Sequence, residues 1–235
     1  TIAVANSAKS SKKPKYDPKA ADRKRDLLFR IGITAVLVLL AVGLVFYIVS
    51  NGQKRQPGEV QAVRVVSTKL LKNPGTEDPK VVLGTYEDFQ CPHCKSFEQE
   101  FGPTINKLVA DGVIAVDYHM LAILNSQVND NYSTRSANAA YCVAESDTTP
   151  GKEAFQRFHA ALFAQQPAEG SPAPDDKSLI ETARQAGVVG KVPECVNGGY
   201  FSDMVEGLAA ATKVDSTPTI RINGTDFPVA EKTTP

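Results

Sequence analysis

The segment VVLGTYEDFQCPHC, residues 81–94, decides the fold because it joins a strand pattern directly to a pair of cysteines. Residues 81–89 are rich in β-branched and aromatic side chains and have about the length of a buried strand. Cys91-Pro92-His93-Cys94 follows at once, and Pro92 suits the first turn of a helix. The pattern therefore predicts a strand that runs into a helix, with Cys91 at the junction.

The residues after this motif predict a helix followed by a second strand. Apolar side chains recur at spacings of four, four and three, as on one face of a helix: Phe97, Phe101, Ile105 and Leu108. Gly112 is expected to end that helix, and residues 113–120 form a second strand-like run. Residues 61–66 alternate weakly and suggest an earlier strand. Together these elements predict a βαβ unit.

The rest of the body is predicted to be mostly helical until its last strands. Residues 127–214 carry several amphipathic runs, and Ser178 to Glu181 has the form of a capping box at a helix start. Residues 220–222 then lead into Asn223-Gly224, a strong signal for a tight hairpin. The expected class is α/β, with helices inserted before the final strands.

The Cys91-Pro92-His93-Cys94 motif is the candidate for chemistry. A CxxC pair can be half of a zinc site, but zinc usually needs four ligands, and the other His and Cys residues are isolated in the sequence. The pair can also form a plain structural disulfide. Its position between a strand and a helix of a βαβ unit favours a redox-active pair. We therefore expect a redox-active disulfide, no metal and no organic cofactor.

Cys91 at a helix start is predicted to be an unusual thiol. Free N–H groups and the positive end of the helix dipole favour an anion there, and His93 can add a donor or a positive charge beside the sulfur. Both effects favour the thiolate, and therefore the reduced protein. Cys94, one turn further on, is expected to be more buried. This asymmetry predicts a protein that passes its disulfide to reduced substrates.

These residues resemble the thioredoxin superfamily, and within it most closely the DsbA-like thiol-disulfide oxidoreductases. The similarity rests on YEDFQCPHC, the following helix and the Thr217-Pro218-Thr219 segment before the hairpin, and it extends over about residues 80–227. It implies a thioredoxin fold with a helical insertion at about residues 127–214. It also implies that Pro218 is a cis proline facing the disulfide, with Thr217 before it, and that this segment binds an extended substrate strand.

Two features depart from the pattern of that family. The buried acid that such proteins often carry six residues before the first cysteine is replaced by Thr85, which leaves Glu87 and Asp88 as nearby carboxyl groups that could carry protons. The closing helix of the family is also missing after Val229. Since the chain begins with Thr1 rather than Met, we expect it to be part of a longer sequence.

Cys142 and Cys195 are the two remaining cysteines. In an oxidising compartment two such residues usually pair, so we expect a structural disulfide within the helical insertion. Two free buried thiols and a second redox relay are the alternatives. His119 lies in an alternating strand and His159 on an apolar helix, where packing or solvent contact explains each better than catalysis.

A hydrophobic segment precedes this body. Residues 31–49 carry no charge and are long enough for a helix across the hydrocarbon core of a bilayer. A cleaved signal peptide is the alternative, but its apolar region is usually shorter and is followed by a small-residue cleavage site. More Lys and Arg residues precede the segment than follow it, which places the N-terminus in the cytoplasm.

The predicted organisation therefore has four parts. Residues 1–30 form a basic cytoplasmic tail, 31–49 a transmembrane signal anchor, 50–80 a linker with the early strand, and 81–235 the DsbA-like domain. The tail carries nine Lys and Arg residues against three Asp, whereas the whole chain has a net charge of zero. The body is therefore acidic, which argues against nucleic-acid binding. With 42% hydrophobic residues, the chain is neither wholly disordered nor collagen-like.

The expected function is disulfide donation outside the cytoplasm, at the cell membrane, during oxidative protein folding. The expected partners are reduced, unfolded secreted or envelope proteins and the lipid bilayer. The resemblance further implies a membrane quinone-linked reoxidase of the DsbB or VKOR kind. A disulfide reductase or isomerase is one alternative. A non-catalytic thioredoxin-fold module that binds peptides is the other.

Overall fold

The structure, a computed structural model, describes residues 32–44, 55, 58–188 and 190–228, and the chain divides into one unit at 1–51 and another at 52–235. In the first unit, residues 32–44 form helix α1 with exposed side chains. The predicted tail at 1–30 and both ends of the predicted membrane segment lie outside the described residues. Within the described part of the chain, no helix has both the length and the apolar character needed to cross a membrane.

A five-stranded mixed sheet forms the centre of the second unit. Its strands are β1 (Val63–Val65), β2 (Val82–Glu87), β3 (Ala115–Met120), β4 (Thr219–Ile222) and β5 (Thr225–Phe227). Their spatial order is β1-β3-β2-β4-β5. Strands β2 and β3 pair in parallel, and the other neighbours pair antiparallel. The strand that leads into the cysteine motif therefore lies at the middle of the sheet.

Six helices surround this sheet within the described residues. They are α2 (Pro92–Ala110), α3 (Tyr132–Ser146), α4 (Glu153–Ala164), α5 (Asp176–Gln185), α6 (Val192–Gly198) and α7 (Ser202–Thr212). Helix α2 connects the parallel strands β2 and β3, which confirms the predicted βαβ unit. The other five helices lie between β3 and β4. This confirms a thioredoxin-like α/β fold with a helical insertion.

The alternation of side chains along β2 directs two polar groups to the same face. Thr85 and Glu87 are separated by two residues, so they point the same way from the pleated strand. In the parallel register Thr85 is opposite Tyr118, and all three side chains are buried. A carboxyl group is therefore placed inside the core at the end of β2 that leads to Cys91.

Local sequence signals account for the ends of several elements. Gly112 has φ +76°, and a Cβ there would lie 2.3 Å from the Lys69 carbonyl oxygen, so this turn after α2 needs glycine. The predicted capping box at Ser178 is wrong, because α5 begins earlier. Its cap is Asp175, whose carboxylate accepts a hydrogen bond from the Ser178 N–H at 2.9 Å.

A disulfide joins two helices of the insertion. Cys142 on α3 is bonded to Cys195 on α6, and the two residues are 53 positions apart in the sequence. Both cysteines are buried. The bond therefore ties the first helix after β3 to a short helix late in the insertion.

Candidate active site

Cys91 lies at the N-terminus of α2, in the position that caps the helix. Its backbone N–H donates to the Asp88 carbonyl at 2.9 Å, and its thiol donates to the Thr217 carbonyl at 3.3 Å. The side-chain amide of Gln166 donates to the carbonyls of Phe89 and Cys91, at 3.0 Å and 2.9 Å. The sulfur is therefore fixed between the start of α2 and the segment that leads into β4.

The surroundings of Cys91 favour its thiolate. The largest effect on its pKa is a hydrogen bond from the Cys94 thiol, which lowers it. The Thr217 side chain and the N–H groups of Cys94 and His93 donate further hydrogen bonds, and these donors together outweigh burial, which raises the pKa. Together they lower the pKa of Cys91 to about 6. His93 thus acts on the sulfur through its backbone N–H, at the helix end where an anion is stabilised.

Cys94 has the opposite character. Its side chain is completely buried, and in this structure both it and Cys91 are free thiols. Burial raises the pKa of Cys94, and the neighbouring Cys91 and Glu87 raise it further, although the Asp88 N–H donates to the sulfur. Cys91 is therefore the group that attacks or is attacked first, and Cys94 must lose a proton before it can react.

Asp88, just before the motif, connects three separate segments. One carboxylate oxygen accepts hydrogen bonds from the Gln90 N–H and the Ser133 hydroxyl, at 2.9 Å and 2.7 Å. The other accepts from the N–H groups of Ile123 and Leu124, at 2.8 Å and 2.9 Å. Although burial raises its pKa, these four donors offset that effect in part. The carboxyl group therefore positions the active-site loop.

A second carboxyl cluster is buried behind the two cysteines. Glu87 is only 2% exposed, and its Oε2 lies 3.1 Å from His159 Nε2 and accepts a hydrogen bond from the Thr85 hydroxyl at 3.3 Å. The other ring nitrogen of His159, Nδ1, lies 3.8 Å from Glu98 Oε2. His159 therefore lies between two carboxyl groups, one from β2 and one from α2.

The ionisation of this cluster is shifted by burial. Burial raises the pKa of Glu87 to about 8, and it likewise raises the pKa of Glu98 to about 8. Burial lowers the pKa of His159, which disfavours the charged form of its ring. These three residues offer ligand atoms within 4.8 Å of one another, which is a donor set that could hold a divalent cation.

The structure brings the predicted site residues together around the motif. Cys91, Pro92, His93 and Cys94 form the first turn of α2, with the side chains of Pro92 and His93 exposed. The Thr217–Pro218 peptide bond is cis, and this segment contacts the Cys91 sulfur. Cys142 and Cys195 form their bond within the insertion.

Sequence reasoning missed the part of the site that the insertion supplies. His159 packs among aromatic rings, as expected of a residue on an apolar helix, but it also binds Glu87. Glu98 and Gln166 were not predicted at all. Glu98 lies one helical turn beyond Cys94, so helical spacing could have identified it, whereas Gln166 reaches the motif only through the tertiary fold.

The fold and the paired thiols define the class of protein. A family model described as thioredoxin matches residues 73–234, so the chain belongs to this family. With a CxxC motif at the start of α2, the domain is a protein thiol-disulfide oxidoreductase.

Comparison with solved structures narrows the class to DsbA-like proteins. Reduced DsbA from Mycobacterium tuberculosis is 55% identical with a TM-score of 0.69, and the match covers 72% of this chain and 86% of that one. Reduced DsbG from the same organism, described as a disulfide bond oxidoreductase, is 54% identical with a TM-score of 0.69, and covers 77% of this chain and 85% of its own.

A curated relative has a different overall organisation. The serine/threonine-protein kinase PknE of Mycobacterium tuberculosis is 32% identical over 149 residues, which are 61% of this chain. The match spans 25% of PknE, so the chain spans only about a quarter of the length of this relative. A DsbA-like domain therefore also resembles part of a much larger protein.

Proposed function

We propose that this protein donates the Cys91–Cys94 disulfide to reduced proteins during oxidative folding outside the cytoplasm. The observation that carries the proposal is that the pKa values of the two thiols are shifted in opposite directions. The pKa of Cys91 is lowered to about 6, and that of Cys94 is raised by burial. A stabilised Cys91 thiolate favours the reduced protein, and a disulfide whose reduced form is stable is a strong oxidant.

The reaction proceeds through a mixed disulfide. A substrate thiolate attacks Cys91 Sγ in the protein disulfide, the sulfur–sulfur bond breaks, and Cys94 leaves and takes up a proton. A second substrate thiolate then attacks the substrate sulfur bound to Cys91. The substrate disulfide forms, and Cys91 leaves as a thiolate, which its low pKa makes favourable. Two electrons have then passed from the substrate to the protein.

The Thr217–Pro218 segment is the proposed contact for the substrate backbone. The Thr217 carbonyl already accepts a hydrogen bond from the Cys91 thiol, so a substrate chain that reacts at this sulfur lies against the same segment. Recognition by backbone hydrogen bonds tolerates many side chains, as oxidation of diverse unfolded proteins requires.

The cellular setting is part of the proposal. The uncharged segment at 31–49 and the positive charge before it support a single membrane anchor with the N-terminus in the cytoplasm. The catalytic domain would then face unfolded secreted or envelope proteins. A quinone-linked membrane reoxidase of the DsbB or VKOR kind would restore the disulfide, since one donation leaves the protein reduced.

Refolding of reduced, unfolded ribonuclease A tests the direction of transfer. The oxidised protein alone should produce native disulfides and recover ribonuclease activity, whereas Cys91→Ser should recover none. If the wild-type protein leaves the substrate thiols reduced and its own disulfide intact, the donor role is wrong. A strongly reducing midpoint potential against glutathione would instead identify a reductase. Retention of cellular function by Cys91→Ser would identify a peptide-binding module.

A further inference from the structure

The end of α4 packs beside the loop that carries the cysteine motif. The rings of Phe163, in the last turn of α4, and Phe89 lie 5.1 Å apart between their centroids. Both residues are buried, so this contact holds the chain that leaves α4 against the chain that enters α2. The residues that follow in the two segments are thereby brought within hydrogen-bond distance of each other.

Two glutamine side chains join these segments. The Gln166 amide donates to the carbonyls of Phe89 and Cys91, at 3.0 Å and 2.9 Å. In the opposite direction, the amide of the completely buried Gln90 donates to the Ala168 carbonyl at 3.3 Å. A glutamine amide carries no titrating proton in the physiological range, so its donor groups are present at every pH at which the thiols react.

The backbone changes conformation at the residue that Gln166 holds. Cys91 is extended, with φ −77° and ψ 117°, and helical residues begin at Pro92. The Cys91 carbonyl also accepts the Lys95 N–H at 3.2 Å, which is the first backbone hydrogen bond of α2. Of the two carbonyls that Gln166 holds, one therefore lies two residues before this change and the other lies at it. Restraining both carbonyls restrains the direction in which the Cys91 side chain leaves the backbone.

We propose that Gln166 is a positioning residue for the exchange reaction, which fixes the backbone at Cys91 so that its sulfur faces the N–H groups at the start of α2. The inference rests on the thiol–disulfide exchange of the proposed function but not on its direction. Gln166 acts through two backbone carbonyls and not through the sulfur itself. Without it, the sulfur loses alignment with the donors that favour its thiolate.

This restraint matters more in the reduced protein than in the oxidised one. In the oxidised protein the Cys91–Cys94 bond itself holds the Cys91 sulfur beside α2, whereas in the reduced protein its position depends on the backbone. Equilibration with glutathione measures the difference between the two forms. Two glutathione molecules pass two electrons to the protein disulfide, which opens, and they form one glutathione disulfide. A loss of stability that both forms share cancels in this equilibrium constant.

Gln166→Met keeps an unbranched side chain of similar length and removes the amide donor. We expect the ionisation constant of Cys91, read from the ultraviolet absorbance of its thiolate, to fall about three- to ten-fold, the usual effect of one hydrogen bond. Since the pKa of Cys91 is about 6, a ten-fold fall would lower the glutathione equilibrium constant about five-fold at pH 7. Gln165→Met, at the neighbouring exposed residue, is the matched control and should change neither constant.

Gln166→Asn tests whether the amide must reach both carbonyls. It keeps the donor group on a side chain one methylene shorter, so both constants should fall, as they do in Gln166→Met. The ionisable groups nearest to Cys91, which are Cys94 from α2 and Glu87 from β2, stay the same in every variant. Chelator is present throughout, because the cluster that contains Glu87 could otherwise bind a metal ion.

The proposal is overturned if Gln166→Met keeps the wild-type glutathione equilibrium, or if that equilibrium shifts while the titration of Cys91 does not. A lower unfolding free energy in urea with both constants unchanged would also overturn it, because Gln166 would then have a structural role alone. A strongly reducing potential of the wild-type protein would end the donor role. It would not affect this inference, which depends on the difference between variant and wild type.

Discussion

At the scale of single residues, two cysteines only three positions apart are made chemically different by what surrounds each. Cys91 receives hydrogen bonds at the open end of a helix, and Cys94 is enclosed by the core beside a carboxyl group. The sequence places both sulfurs correctly relative to the helix, because a cap position follows from Pro92. It names Glu87 and Asp88 as nearby carboxyl groups but does not decide between them, because that depends on which face of β2 is turned inward.

Thr217→Val tests one of the donors at Cys91. Valine has nearly the same shape but no hydroxyl, so the thiolate loses a hydrogen bond that lowers its pKa. Hydrogen bonds to charged groups contribute roughly 1.5 to 3 kcal/mol, and each 1.36 kcal/mol is about one pKa unit, so the ionisation constant should fall about ten-fold or more. Absorbance at 240 nm reports the thiolate. Thr225→Val, on the exposed strand β5, should leave the titration unchanged.

At the scale of elements, the sequence predicts which segments are helices and strands better than where they begin. The βαβ unit and the Asn223-Gly224 hairpin follow from local patterns, and both residues of that turn have positive φ, as the tight turn requires. The start of α5 was misplaced because Ser178, a residue that often caps helices, here donates to the actual cap, Asp175. The packing of α4 against the motif has no local signal at all.

The Cys142–Cys195 bond is expected to stabilise the insertion without taking part in catalysis. Closing a loop of 53 residues restricts the unfolded chain, which the chain-entropy model equates with about 4 kcal/mol. The double variant Cys142→Ala/Cys195→Ala should therefore lose about 2 to 4 kcal/mol of unfolding free energy in urea. The rate at which its Cys91 thiolate reacts with 5,5′-dithiobis(2-nitrobenzoate) at 25 °C, followed by the absorbance of released thionitrobenzoate, should match the wild type. A slower reaction would show that the bond also positions Cys91.

At the scale of the whole molecule, the redox state should change the way stability depends on pH. The pKa of Cys91 is lowered from 9.0 to about 6 in the folded, reduced protein. The Cys91 thiolate therefore contributes fully to the free energy of unfolding above about pH 9. This contribution declines as the pH falls and is lost below about pH 6. The oxidised protein lacks this thiolate.

Urea unfolding of the two forms measures this effect. The unfolding free energy of the reduced protein minus that of the oxidised protein should increase between pH 6 and pH 9. Cys91→Ser removes the ionising group, so its unfolding free energy should lack this rise. A difference that stays constant across this range would mean that Cys91 has an ordinary pKa, and the oxidising character would lose its basis.

The Asp88 carboxylate has a consequence for how the molecule could have been assembled. Its four hydrogen bonds come from the loop before the cysteines, from the chain that leaves β3 and from the first helix of the insertion. Excising the insertion would remove the Ser133 hydroxyl from this carboxylate, and with it the Gln166 amide that holds the Phe89 and Cys91 carbonyls. The added helices therefore take part in holding the active-site loop, and their deletion would disturb the surroundings of the reactive sulfur.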